Sequence, residues 1–425
     1  MKKIVQLALL WPCLTTQVIA NNNADNITPV VIDWNYQLSV GKNSTQQSPL
    51  FANSIEGYNF DTSLQAEAKY GNWLGLFALT SSDVQHDGES SEVDIVIQEL
   101  FWQQSMTMFE HDVDVTFGKV RLDWGVGYGY RPLDIIKPYR QNPIGIQTEE
   151  GAGIASMSLF DSQGEWTVLL SDSSWVMQDQ SDYEQSVENQ GVGIKRYWLN
   201  DNSEWQGLLY YDDVRKTSIG ASAVTVLNEA WELHASALLQ QQFVQYHIAD
   251  SLYSPTELHT EENATQGLIG FTWANQFGNS VILEYWYDSR AWSDSDWQTA
   301  INRATSLVID SDPSVQSLAQ SYGQGYRHSN IVQHNLMLHW SLDSSAFDQF
   351  EYTQGLELTP TLDILYSPQD GGVIVTQWLE YLLFDSGDYH QTIEIAGRFI
   401  FGDHNSAYQQ LTDSRAVLIN LKGRF

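Results

Sequence analysis

The stretch from Val417 to Phe425, VLINLKGRF, alternates without a break. Val417, Ile419, Leu421, Gly423 and Phe425 fall on one side of an extended chain, and Leu418, Asn420, Lys422 and Arg424 on the other. Successive side chains of a strand point to opposite faces, so this segment reads as a strand with one oily face and one mostly wet face. The same period of two runs back through the chain. Ile393, Ile395 and Phe399 alternate with Thr392, Glu394 and Arg398, and Trp231, Leu233, Ala235 and Ala237 alternate with Glu232, His234 and Ser236. Val113, Val115 and Phe117 alternate with Asp112, Asp114 and Thr116; Leu64, Ala66, Ala68 and Tyr70 with Gln65, Glu67 and Lys69; Trp34, Tyr36, Leu38 and Val40 with Asn35, Gln37 and Ser39. A soluble β-sandwich alternates in the same way, so the period alone leaves two architectures open.

Composition narrows the choice. The 425 residues carry 53 Asp+Glu against 20 Lys+Arg, a formal charge of -33, which excludes a nucleic-acid binder working through a basic footprint. Charged residues make up only 17% of the chain, below the roughly 25% usual for soluble domains. Aromatics reach 12%, too many for a disordered chain. No long apolar run follows the N-terminal segment, so membrane-spanning helices are excluded as well. An aromatic-rich, weakly charged, turn-rich chain fits a transmembrane β-barrel.

Connection lengths favour the barrel over the sandwich. Long connections, at about 41–59, 80–91, 122–151, 172–187, 240–264 and 289–328, alternate with short ones: Gly71-Asn72, 161–164, 200–203, Leu227-Asn228, 275–278 and 385–388. Outer-membrane barrels have tight turns at one end and long loops at the other. The alternation falters at 103–110 and 343–348, where inner turns lengthen, and at 212–217 and 367–372, where outer loops are short. The expectation is an all-β, antiparallel up-and-down transmembrane barrel of about 18 strands, with 349–367 taken as one long strand and 16 strands as the second choice.

The first twenty residues read as an address. Lys2 and Lys3 precede an apolar stretch from Ile4 to Leu10, and Val18-Ile19-Ala20 suits signal-peptidase cleavage after Ala20. The expected organisation is a signal peptide at 1–20 and one barrel domain at 21–425. The single cysteine, Cys13, lies in the leader, so the exported chain has no thiol chemistry.

One connection concentrates positive charge. Lys119, Arg121, Arg131, Lys137 and Arg140 crowd into the segment that opens the long 122–151 loop, with Asp123, Asp134, Glu149 and Glu150 interspersed. Gly125, Gly127 and Gly129 permit sharp turns and close approach, and Pro132 and Pro138 stiffen the second half of the segment. A narrow passage lined with charge sets ion preference. The inward-facing expectation comprises Glu67, Asp94, Asp112, Asp114, Glu165, Glu204, Glu232, Glu284 and Glu394, facing Lys69, Lys195, Arg398, Lys422 and Arg424. A basic loop opposite an acidic wall would create a transverse field; the same bases could instead pair with carboxylates to pin the loop, or face lipopolysaccharide phosphates.

Two resemblances add to this reading. The final strand with its terminal Phe425 resembles the C-terminal signature of barrels inserted by the outer-membrane assembly machinery. Phe117-Gly-Lys-Val-Arg-Leu-Asp-Trp-Gly-Val-Gly-Tyr128, with Arg131-Pro-Leu-Asp134 and Asn142-Pro143, resembles the Trp-Gly-x-Gly and Pro-x-Asp pattern of porin-like Gram-negative outer-membrane barrels. It also resembles barrels that export or anchor exopolysaccharide. The porin resemblance implies that the loop after the fifth strand folds into the lumen as a constriction. The function expected is passive diffusion of small polar solutes or ions, with outer-membrane lipid, lipopolysaccharide and the assembly machinery as partners and no cofactor. Polysaccharide export or surface assembly is the alternative.

An outer-membrane hydrolase is a lesser one. His328-Ser329-Asn330 hints at a lipase pair, but adjacent strand residues point apart. Asp112 with Asp114 and Asp388 with His390 hint at a surface protease, yet Asp388 sits by an inner turn. The ten histidines show no zinc-ligand spacing, and the acidic residues of the outer loops (Asp83, Asp87, Glu89, Asp179, Asp182, Glu184, Asp294, Asp296, Asp310, Asp312) form no calcium loop. Trp73, Trp166, Trp205, Tyr285, Trp340 and Trp378 are expected in interfacial girdles.

Overall fold

A computed structural model describes residues 30–51, 56–84, 92–108, 110–137, 144–178, 180–310, 312–349 and 351–425. The leader, Arg140 and the Asn142-Pro143 pair lie outside these residues, as do Asp87, Glu89 and Asp179. Eighteen strands succeed one another: β1 Val31–Thr45, β2 Gly57–Tyr70, β3 Trp73–Val84, β4 Glu92–Met108, β5 His111–Val120, β6 Ala152–Asp161, β7 Gly164–Asp172, β8 Gln190–Leu199, β9 Ser203–Asp212, β10 Lys216–Asn228, β11 Trp231–His247, β12 Glu257–Ala274, β13 Asn279–Asp288, β14 His334–Leu342, β15 Leu358–Tyr366, β16 Val373–Asp385, β17 His390–Phe401 and β18 Asp413–Arg424.

Each strand pairs antiparallel with its neighbours in sequence, and β1 pairs with β18, so the sheet closes on itself. Closure removes the free edge that an open sheet would expose. The seam runs from Asn35 opposite Arg424 to Thr45 opposite Asp413, and Phe425 extends it by exchanging backbone hydrogen bonds with Trp34 at 2.9 and 3.0 Å. The Phe425 ring also lies near Tyr36 and Tyr389, which fastens the end of the last strand to the first.

The outward parity is apolar and bare. Ile95, Leu170 and Ile269 are 69%, 60% and 62% exposed, and Leu209, Ile219, Leu239, Ile395 and Ile419 lie on the same side of their strands. A continuous band of this kind suits hydrocarbon rather than water. Tyr70, Trp73, Trp166, Trp198, Trp205 and Trp231 ring its short-turn end, and Tyr58, Tyr211, Tyr366 and Phe401 ring the other. Trp378 departs from the girdle expectation: it shares the inward parity of Thr376 and Glu380, and packs with Ile144 against Ala396, Ala416 and Leu418.

Most long connections gather at one end; the exception is 343–357, which joins β14 to β15 at the short-turn end. Two differences from the sequence expectation stand out. The segment taken as one strand from 349 begins as a turn, held by bonds from the Ser345 amide to Asp343 and the Gly355 amide to Asp348, and extends only from Leu358. The connection expected at about 289–328 runs to 333 and is partly helical. After the short helix α1, Asp182–Ser186, come α2, Asp294–Val308, and α3, Pro313–Ser321.

In α2, Trp297, Ala300, Ile301, Ala304 and Leu307 recur at the helical period and are buried, while Ser293 and Asp296 close a capping box. These residues join Leu50, Tyr322, Ile374, Ile400 and Tyr408 in one apolar cluster roofing the long-loop end. Several outer-loop acids are thereby accounted for as helix caps, Glu184 on α1 and Asp312 on α3 among them.

Candidate pore constriction

The 121–151 connection leaves β5 and folds inward. Its base is fixed by charge. Lys119 is buried and bonds to Glu150, whose carboxylate also accepts from the amides of Met177 and Gln178 at 2.9 and 2.8 Å. The Arg121 amide donates to Glu99 at 2.8 Å, and Gln98 donates to the Glu149 carbonyl at 3.3 Å.

Beyond the base the chain turns on Asp134. One oxygen of that carboxylate accepts from the amides of Trp124 and Gly125, both at 2.7 Å. Arg131 closes the same turn, donating to the Gly127 carbonyl at 2.9 Å and lying 3.5 Å from Asp123 and 3.9 Å from Asp134. Burial pushes the Asp134 carboxyl up to about 6, against the pull of its two amide donors and Arg131. Burial likewise lowers the Lys137 ammonium.

The tip then docks on the far wall. Glu284 of β13, eight strands round from β5, is fully buried and accepts from the Tyr128 amide at 2.6 Å and the Gly129 amide at 2.8 Å, with His234 of β11 2.8 Å from it. This approach explains the glycines. A side chain at Gly127 would meet the Tyr130 carbonyl at 2.0 Å, and one at Gly129 would meet the Met337 sulfur at 2.4 Å. Tyr130 reaches Gln266 at 2.5 Å and Asp288 at 3.0 Å through its hydroxyl.

Apolar contacts complete the seal. Trp124, Leu133, Ile135 and Ile136 pack on Ile154, Leu169, Leu208, Tyr210 and Leu238, while Tyr130 packs on Leu268, Trp286 and Met337. Lys195 sits 5.2 Å over the Trp124 ring. The loop thus lines the inner wall from β6 to β14.

Its return limb, 144–148, leaves space on the opposite arc. A cavity of about 710 Å³ lies between that limb and the wall made by β17, β18 and β1–β4, lined by Asn43, Asn59, Asp61, Asp94, Arg398 and Asp413 among others. A second cavity, about 430 Å³, holds Arg121, Lys137, Arg215 and Arg290 opposite Asp123, Asp134, Glu149, Glu150, Glu184 and Glu188. A third, about 340 Å³, lies by Tyr130, Asn330 and Asp363. Gln147, Thr148 and Gln178 border the first and second cavities, and Arg398 borders the first and third, so the three adjoin around the limb.

The residues singled out from the sequence therefore divide. Lys119, Arg131, Asp134 and Glu150 are brought together inside the loop and its anchor. Arg121, Asp123, Lys137 and Glu149 border the second cavity. Glu394 bonds to Lys422 at 2.7 Å and Asn420 at 2.6 Å, Glu67 to Lys69 at 2.6 Å, and Glu165 to Ser158 at 2.6 Å, all on the parity opposite the bare apolar residues. Asp112, Asp114, Glu204 and Glu232 share that parity toward the short-turn end. His328 accepts from the Asn330 amide at 3.1 Å.

Glu284 carries the docking of the tip, and the local signal for it is faint: one carboxylate in an alternating strand. The pairs Leu208-Leu209, Leu238-Leu239 and Leu268-Ile269, apolar on both parities, are the stronger mark of the docking wall.

The geometry defines a closed 18-strand up-and-down barrel narrowed by an inward loop. No protein-family model and no curated protein sequence matches the chain. Among solved structures it is similar to OccAB1 of Acinetobacter baumannii, with TM-score 0.53 and 10% identity over 93% of this chain and 96% of that one. It is also similar to OccK8 (OprE) of Pseudomonas aeruginosa, at 0.52 and 9% over 93% and 97%, and to OccK3 (OpdO) of the same organism, at 0.51 and 9% over 93% and 95%. These likenesses establish the barrel fold.

Proposed function

We propose that the chain is an outer-membrane channel for passive diffusion of small polar solutes, exported by the 1–20 leader and inserted by the assembly machinery through the strand ending at Phe425. The carrying observation is the cavity left beside the docked loop: about 710 Å³ bordered by Asn, Asp, Thr and Ser side chains together with Ile400, Leu411 and Leu418, inside a barrel whose outer face is oily. Asp61, Asp94 and Asp413 outnumber Arg398 on that wall, which favours cations at the narrow point. Lipopolysaccharide would meet the outer aromatic ring. Purified protein in a planar bilayer under a salt gradient should conduct, with a zero-current potential of the cation-selective sign. A bilayer that stays silent with folded protein present would overturn the reading.

A further inference from the structure

At the outer end of the barrel, β11 and β12 run 17 and 18 residues, well beyond the about 9–11 needed to cross hydrocarbon. Their register sets His247 opposite Glu257 and Gln245 opposite His259. Paired residues share a face and alternate residues along a strand share it too, so His247, His259 and Glu261 stand together on one side of the hairpin.

The side chains confirm the juxtaposition. The two imidazole rings stack 4.9 Å apart with planes 5° from parallel. One donor atom from each of His247, His259 and Glu261 lies within 4.8 Å of the others. Glu257 adds a carboxylate oxygen 3.9 Å from Nε2 of His259.

We propose that this hairpin face binds a borderline divalent cation, Zn²⁺ by preference. Two imidazoles and a carboxylate supply three protein ligands and leave a fourth position for water. Hard cations such as Ca²⁺ take six to eight oxygens, which this face does not offer. The two histidines are exposed, so rotation about their side-chain bonds can draw the donors in to the about 2.0–2.1 Å that Zn²⁺ requires. The neighbouring Glu257 adds negative charge that attracts the ion. Eleven residues lie between the histidines in sequence, and only the cross-strand register unites them.

The test is a titration of the full chain in detergent, any affinity tag removed, with Zn²⁺ against a chromophoric chelator. One Zn²⁺ per chain is expected. His247→Ala or His259→Ala should weaken binding by at least about tenfold, Glu261→Gln should weaken it less, and millimolar Ca²⁺ should not displace the ion. No binding, binding of unchanged strength in the double histidine variant, or displacement by Ca²⁺ would overturn the proposal. Heat-dependent gel mobility verifies that each variant forms its barrel. The double variant should conduct like the parent, so failure of the metal site and failure of the channel reading are told apart.

Discussion

Two arcs of the same wall use their inward faces in opposite ways. From β6 to β14 the inward positions include Ile154, Leu169, Leu208, Leu238, Leu268, Trp286 and Met337, all buried beneath the folded loop. From β17 through β4 they include Asn43, Asn59, Asp61, Asp94, Arg398 and Asp413, which border open space. Alternation therefore reports lipid on one side of a strand and whatever fills the interior on the other. In a barrel this wide, part of that filling is protein. Inward leucines mark where the loop lies, and inward carboxylates and amides mark where solutes could pass.

The strongest way to break this contrast is to remove the loop. Deleting 125–136 should strip the cover from the β6–β14 arc and raise single-channel conductance severalfold. It should also lower the temperature at which heated protein changes gel mobility, since the bared leucines lose their packing. A current equal to that of the parent would show that the restriction lies elsewhere, in the roof of α2 and α3.

Removing one anchor is the next largest perturbation. Glu284→Ala leaves the amides of Tyr128 and Gly129 and the His234 ring without their buried acceptor. Orphaned buried donors of this kind cost about 3 kcal/mol together. The expected result is a less stable barrel with noisy, fluctuating current as the tip detaches, and Glu284→Gln should fall between variant and parent. Quiet, parent-like current from Glu284→Ala would mean that the apolar contacts hold the tip unaided.

How much of this is legible in the sequence depends on range. Period-two alternation and connection length are local, so the barrel and its 18 strands can be read from residues such as Val417–Phe425, whereas the inward course of the 122–151 loop is implied only by the porin resemblance. The destination of the loop cannot, because Glu284 and Tyr128 are 156 residues apart and meet only through closure. The basic cluster illustrates the same limit. Its charge is visible, but whether Arg131 faces solute or its own loop depends on a turn that Asp134 organises. The helical period is present in Trp297, Ala300, Ile301 and Ala304, inside the stretch that connection length marks only as a long connection at about 289–328.

Acidity offers a gentler probe of the covered arc. Burial raises Asp134 from 3.8 to about 6, so the folded loop takes up a proton where the unfolded chain would remain ionised. Stability from this group is greatest below about 4, falls as pH rises through about 6, and is level above. Lowering pH from 7 to 5 should therefore steady the loop and reduce current fluctuations, and Asp134→Asn should flatten that dependence. Fluctuations that grow on acidification in the parent, or persist unchanged in the variant's pH profile, would count against this role.

The smallest effect belongs to the open arc, where Asp61 and Asp94 face the cavity. Asp61→Asn with Asp94→Asn should move the zero-current potential a few millivolts toward neutrality, and Arg398→Gln should move it the opposite way, with conductance nearly constant. Arg121, partly exposed beside the second cavity, should act as a field charge when changed to Gln. Arg131→Gln should instead disturb loop order, because that guanidinium is spent on Gly127, Asp123 and Asp134. The two arginines, ten residues apart on one loop, thus give different signatures: a shifted potential with quiet current for Arg121, and noise without a matching shift for Arg131. Identical signatures would erase the distinction between a wall that supports the loop and a wall that faces the solute.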